Sequence, residues 1–206
     1  MKEFWDQKYS QEAYAYGETP NEYFKDTIAG LSPGRILMPA DGEGRNGVYA
    51  ATLGWQVDAF DMSDEGKRKA EALAGKQNVK INYLVGECAE ISYPKDTFDA
   101  IGLIYAHFPA AVKSACHRQL MDNLKPGGFI IFEAYSKQQI HYQRTNPKAG
   151  GPKDVDSLFD IDEIKHDFQE IEFIYLNEEE VELQEGEYHS GKGMVIRFLG
   201  KKKEAS

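Results

Sequence analysis

Gly42, Gly44 and Gly47, in the stretch ADGEGRNG, follow the spacing G-x-G-x-x-G, and Asp61 lies ~20 residues downstream. Glycines in such a turn let the backbone approach a ligand closely. An acid at that distance suits ribose hydroxyls. The helix after such a loop is a receptor for phosphate at its N-terminus. Glu43, however, sits inside the loop and opposes a pyrophosphate, with Arg45 the nearest neutralising charge. The combination points to an adenosine-bearing ligand without phosphates.

Other residues able to do chemistry are few. His107, in YAHFP, has the side chain whose ordinary pKa suits a base near neutrality, and its alternative is a structural or capping role. His141, in QQIHYQR, and His189, in QEGEYHSG, fall in expected loops and are candidates to line a substrate pocket. His117 sits in a helical pattern and is expected at the surface or half-buried. Cys88 and Cys116 are too far apart in sequence for a redox pair and match no metal-ligand spacing, so two reduced, mostly buried thiols are expected. There is no Ser/His/Asp signature and no cluster of metal ligands, so hydrolase chemistry has no support and no metal is expected.

The elements that must position these residues alternate helix and strand. TPNEYFKDTIAGL reads as a first helix, with Thr19 as cap and Pro20 at its first position. RILMP, WQVDAFD, KINYLVG, FDAIGLIYA and GFIIFEAY read as five strands. Helices are expected after the glycine loop to Gly54, over SDEGKRKAEALAG with Ser63 or Asp64 as cap and Gly75 as stop, and over AAVKSACHRQLMDNL. RTNPKAGGPKD reads as a mobile loop and DIDEIKHDF as a short helix. EIEFIYLNEEEVEL and KGMVIRFLGKK then form two long strands whose joint is too short for a crossover, so they pair antiparallel. The fold class is α/β: a doubly wound, mostly parallel, Rossmann-like seven-stranded sheet ending in an antiparallel hairpin, with helices on both faces. Ligand is expected at the carboxyl ends of strands one and four. At 206 residues one domain is expected: a cover segment and first helix over 1–30, a core over 31–200 and a tail over 201–206.

The net charge of −10 argues against a nucleic-acid partner, which needs a basic surface, and GKKK at 200–203 reads as a solvated tail. The acidic run NEEEVELQEGE reads as a solvated face that also discourages edge pairing. No run approaches the ~18 apolar residues of a membrane helix. MKEFWDQKYSQ has no apolar core and is not a secretory signal, so no membrane partner and a cytoplasmic location are expected.

S-adenosylmethionine (S-adenosyl-L-methionine) is an adenosine nucleoside without phosphates, and its cationic sulfonium favours an acidic or aromatic surround. The sequence resembles the class I S-adenosylmethionine-dependent methyltransferases. LMPADGEGRNGVYAA resembles that family's first motif and VDAFDMS its second. VGECAEISYPKDTFDAI resembles its adenine segment, and LKPGGFIIFEAY its turn into strand five. FWDQKYSQEAYAYGETPNEYF is similar to the N-terminal cover of the tellurite-resistance and thiopurine-type members. Met38 and Ala40 depart from the acid and first glycine common in the family, and Pro39 is unusual there.

The resemblance implies a cofactor site of Tyr16, Pro39, Ala40, Gly42, Gly44, Asn46, Asp61, Met62, Glu87, Cys88, Ile104 and Tyr105. Cys88 is balanced between adenine neighbour and buried filler, and Tyr105 between methionine neighbour and packing. Trp5, Tyr14 and Tyr16 form either a lid or a staple. Trp5, Tyr135 and His141 are implied on the acceptor side, with His107 as the candidate catalytic base. The implied reaction is in-line methyl transfer to a small-molecule acceptor, with thiols, chalcogen oxyanions, halide and amines all open. Two other classes remain: a cofactor-binding protein without turnover, and a nicotinamide-dependent oxidoreductase. Oligomeric state is open.

Overall fold

A computed structural model describes residues 1–146, 148–186 and 188–204. Seven strands form one sheet in the order β3-β2-β1-β4-β5-β7-β6. β1 (Arg35–Pro39), β2 (Gln56–Asp61), β3 (Asn82–Val85), β4 (Phe98–Ile104) and β5 (Leu124–Tyr135) run parallel. β7 (His189–Lys202) lies antiparallel between β5 and β6 (Ile171–Glu185). The expected doubly wound sheet and closing hairpin are thus the observed ones, and strand order reverses between β1 and β4.

Alternation along β1 sets the two cores. Leu37 faces one layer with Ile101, Phe132 and Phe198, while Ile36 and Met38 face the other with Val57, Ala100 and Ile131. The first layer is closed by Cys116 and Leu120 of α5 (Lys113–Asn123) and Ile164 of α7 (Ile161–Asp167). The second is closed by Phe24 and Ile28 of α2 (Glu22–Ile28), Ala50 of α3 (Arg45–Thr52) and Ala70 of α4 (Asp64–Lys76). Burial on both faces explains why β1, β4 and β5 are continuous apolar runs.

Several boundaries differ from the sequence expectation. α2 is capped by Asn21, whose side chain accepts from Phe24 N, so Thr19 and Pro20 lie ahead of the helix. Ser63 caps α4 as expected, but the helix passes Gly75 and ends at Lys76. Two further helices appear: α1 (Lys2–Tyr9) in the cover and α6 (Gln139–Thr145) after β5. α6 takes the start of the expected loop; Pro147, within that loop, and Glu187, Ala205 and Ser206 lie outside the described residues. The acidic run lies mostly on β6, the sheet edge, where Glu180 pairs with Lys192 and Glu179 with Arg197. No described helix is long and apolar enough to cross a membrane.

Candidate functional site

The glycine loop leaves β1 through three left-handed residues, Ala40 (φ 52°), Gly42 (φ 54°) and Gly44 (φ 83°). A Cβ on Gly44 would lie 2.5 Å from that of Ala70, so the glycine lets the loop pack onto α4. Asp61 ends β2 directly behind the loop. Its carboxylate accepts from Gly42 N at 3.1 Å and from Ser63 N at 2.9 Å. Burial pushes this carboxyl up to about 6, while the backbone N–H bonds from Ser63, Gly42 and Met62 pull it down. Pro39 and Ile104 are buried at the ends of β1 and β4.

Asp41, which sequence reading passed over, lies beneath the loop. One oxygen accepts from Gly47 N at 3.1 Å, and the other is buried without a partner among the described residues. Burial raises its pKa well above the usual range, and Asp61 adds to the rise.

Glu43 does not face a ligand as an unopposed charge, and this corrects the electrostatic argument against phosphate. Its side chain is 3% exposed and pairs with Lys69 Nζ at 2.7 Å. Its other oxygen accepts from Ala15 N at 2.7 Å, while Lys69 also donates to Ala13 O. The pair ties the N-terminal cover to the loop and α4.

α1 lies over this end of the sheet. Asp6 accepts from Ser63 Oγ at 2.6 Å, and Trp5 stacks on Tyr9 with ring centroids 5.4 Å apart. The Tyr9 hydroxyl lies 2.7 Å from where a Cβ on Gly42 would be, so Tyr9 covers the loop. Lys8 donates to Tyr16 Oη at 2.7 Å, and its ammonium lies 3.9 Å from the Tyr188 ring centroid and 5.0 Å from that of Trp5. Burial pushes the Lys8 amine down to about 8. Arg45 is paired to Glu185, Lys69 to Glu43 and Arg197 to Glu133. Among the described residues Lys8 has no such carboxylate partner.

Beyond the loop, Tyr16, Tyr105, Tyr135 and His189 meet. Centroid separations are 4.5 Å for Tyr16–His189 and for Tyr105–His189, and 4.8 Å for Tyr105–Tyr135. Tyr105 holds φ at 53°, an uncommon conformation for an aromatic residue that points to strain retained at a site. Behind this cluster Glu185 pairs with Arg45 and with His189 Nδ1, both at 2.9 Å. Asn21 Nδ2 bridges Glu185 and Glu133. Asn46 is spent on the same frame, its Oδ1 accepting from Asn21 N at 2.9 Å. Sequence reading placed Glu185 in a solvated run and did not find its role.

The remaining residues named from the sequence sit in varied surroundings. His107 is not presented as a base: Nδ1 donates to Ser157 O at 2.9 Å and Nε2 accepts from Tyr135 N at 3.2 Å. Burial pushes its pKa down to about 4, so it is a neutral tether under Tyr135. His117 is fully buried rather than superficial, with Nδ1 2.7 Å from Asp167. The side chain of Cys88 packs in the same core cluster as Cys116, so the two thiols share a layer despite their sequence separation. The carbonyl of Cys88 accepts from Gln119 Nε2 at 3.2 Å. Glu87 is exposed after β3, Met62 is half-buried with its carbonyl bonded to Lys2, and His141 is exposed on α6.

A family model described as a methyltransferase domain matches residues 36–128, from β1 to the bend within β5. Uncharacterized proteins of Mycobacterium tuberculosis and Mycobacterium bovis are each 30% identical over 107 residues, which is 50% of this chain and 38% of theirs. The match thus spans less than two-fifths of those relatives. A structure solved for the conversion of a disulfide bond into a thioacetal group during echinomycin biosynthesis is similar with TM-score 0.76 and 18% identity, over 100% of this chain and 93% of that one. TehB of Haemophilus influenzae gives 0.72 and 19%, over 98% and 67%. A SAM-dependent methyltransferase of Methanosarcina mazei gives 0.70 and 16%, over 91% and 100%. At these identities the structural likeness is one of fold. Residues 36–128 thus match a methyltransferase domain, and the chain as a whole shares its fold with structures solved for SAM-dependent methyltransferases, proteins whose cofactor is S-adenosylmethionine.

Proposed function

We propose that the chain is one functional domain that methylates a small molecule by in-line displacement. The observation that carries this reading is Asp61, buried at the end of β2 and bonded to loop residue Gly42, with the aromatic cluster beyond β1 at the ends of β4 and β5. The residues fit the cofactor. Asp61 offers a carboxylate to ribose, Gly42 keeps the loop bare beneath Tyr9, and Glu87, exposed after β3, is free to reach adenine. Tyr16 and Tyr105 offer ring faces and oxygens toward a sulfonium. Bound cofactor supplies an electrophilic methyl with a neutral leaving group. The protein's part is then to hold the acceptor in line with that methyl and to exclude water.

Calorimetric titration with S-adenosylhomocysteine, with NADH in parallel, tests the reading. About micromolar affinity for the first alone is expected. The NADH arm carries weight because Glu43 is neutralised by Lys69 and does not itself exclude a dinucleotide. Binding of NADH alone would sink the proposal.

Two residues of the cover should respond to the cofactor. Tyr9 covers Gly42, so binding requires α1 to shift. Saturation with S-adenosylhomocysteine is therefore expected to change tryptophan emission, and the change is expected to vanish in Trp5→Phe, since Trp55 is buried in the core away from the cover. An unchanged spectrum with binding intact would show that α1 stays in place.

Lys8 matches the cofactor's carboxylate in charge. Lys8→Met is expected to weaken S-adenosylhomocysteine binding about 10- to 100-fold, the worth of one hydrogen bond to a charged group. 5′-Methylthioadenosine, which lacks the carboxylate, should bind both proteins alike. Equal losses for the two ligands would remove Lys8 from this role.

A further inference from the structure

The cluster of Tyr16, Tyr105, Tyr135 and His189 holds two features that packing does not account for. The hydroxyls of Tyr105 and Tyr135 are both buried with no partner among the described residues. A buried, unpaired hydroxyl costs about 1–3 kcal/mol, so each of these suits a polar group brought in from outside. Second, His189 is fixed in one tautomer. Its Nδ1 lies 2.9 Å from Glu185, and the bonds from His189 and Arg45 outweigh the effect of burial and hold that carboxyl down at about 2. An ionised carboxylate only accepts, so Nδ1 carries the proton and Nε2 the lone pair. The Cδ2 edge of the ring, next to Nε2, and the Tyr135 hydroxyl converge on Gly150. A Cβ there would lie 2.5 Å from the hydroxyl, 2.7 Å from Cδ2 and 2.8 Å from Tyr188 O, so only glycine lets this backbone pack against them.

We infer that His189, oriented by Glu185, is the proton acceptor for a small protic methyl acceptor seated against the hydroxyls of Tyr105 and Tyr135. This rests on the methyl-transfer reading above. The bond between X and H breaks as its proton passes to His189 Nε2. The freed pair on X forms the bond to the methyl carbon, and the sulfonium sulfur keeps the electrons of the bond that breaks. The two phenol hydroxyls donate to the charge developing on X, and the imidazolium returns its proton to water. His107 cannot substitute, since both its nitrogens are engaged by backbone.

The charged groups around His189 suit a base that is free at neutral pH. Burial lowers its pKa and Glu185 opposes that. Arg45 and Lys8 lower it further, and the phenols of Tyr16, Tyr105 and Tyr135 face it with pKa values raised by burial. His107 is the other imidazole within electrostatic reach, and it stays neutral.

The test has one arm without turnover. In ¹⁵N-histidine-labelled protein free of cofactor, His189 is expected as the neutral Nδ1–H tautomer at pH 7, with a lower pKa in Glu185→Gln. An Nε2–H tautomer would overturn the inference. The second arm compares wild type with His189→Gln, using simple alkyl thiols and the pre-ionised thiolate of 2-nitro-5-thiobenzoate as methyl acceptors. A loss of about 100-fold or more is expected for the alkyl thiols, and less than about threefold for the thiolate, which has no proton to give. Equal losses with both, or methylation of neither while S-adenosylhomocysteine still binds wild type, would overturn the assignment. Failure of wild type to bind S-adenosylhomocysteine would instead overturn the methyl-transfer reading. A melting curve of His189→Gln with retained S-adenosylhomocysteine binding separates chemistry from misfolding, and Glu185→Gln gives the second variant.

Discussion

Asp61→Ala is expected to remove measurable binding of S-adenosylhomocysteine. Two ribose hydroxyls donating to an ionised carboxylate are worth about 1.5–3 kcal/mol each, so their loss weakens binding by about 10²- to 10⁴-fold. The same side chain accepts from Gly42 N and Ser63 N, and alanine would leave both N–H groups unpaired. Asp61→Asn keeps an acceptor for the backbone and is the cleaner variant. Because burial raises the folded carboxyl to about 6, the group has two opposite pH signatures. The folded state without ligand prefers the protonated form. Its contribution to stability is therefore full below the unfolded pKa of about 3.9 and is lost as pH rises toward 6. Ribose needs the ionised form, so affinity should rise over that window and fall about tenfold per pH unit below 6. Calorimetry from pH 5 to 8, with melting curves of wild type and Asp61→Asn, measures both slopes. Affinity independent of pH would detach Asp61 from the ribose.

The loop and its acid were legible because both are local. ILMP is a short apolar run directly before the glycines, as a covered strand would be, and Asp61 ends the next strand-like run at a fixed distance. What was not legible lies in contacts between distant residues. Glu43 read as a bare charge because Lys69, which neutralises it, is 26 residues away on α4. His107 read as a base because Ser157 O, which engages it, is 50 residues on. Glu185 belongs to an acidic run whose other described members are edge-strand side chains, and only its place at the hairpin end, opposite His189, sets it apart. α1 was missed because a short, mostly polar helix has little periodic signal, and its position depends on Asp6 reaching Ser63. In each case composition offered a charge or an imidazole, and topology supplied the partner that decides what it does.

The same reasoning makes His117 and Asp167 the pair whose loss should cost most in stability. His117 on α5 and Asp167 at the end of α7 have side chains 0% and 1% exposed, and Ser114 Oγ adds a bond to the same Asp167 oxygen at 3.0 Å. Rings of Phe159 and Phe168 pack on the imidazole, so no water replaces a lost partner there. Asp167→Ala is expected to destabilise the fold by about 3–5 kcal/mol, the cost of breaking a buried pair by removing one member. That is a large share of a total of about 5–15 kcal/mol. Burial works to raise the Asp167 carboxyl, but the bonds from His117 and Ser114 prevail and hold it below the usual range. The pair's contribution is therefore present above the unfolded carboxyl pKa of about 3.9 and fades as pH falls through the lower folded value. Urea melts at pH 7 and near pH 3 should show the gap between wild type and Asp167→Ala closing at the acid end. Phe159, which packs on His117, also bonds through its backbone N–H to Tyr135 O. The variant should therefore loosen the aromatic cluster that the proposed acceptor site uses, and lose turnover at temperatures where it is still folded.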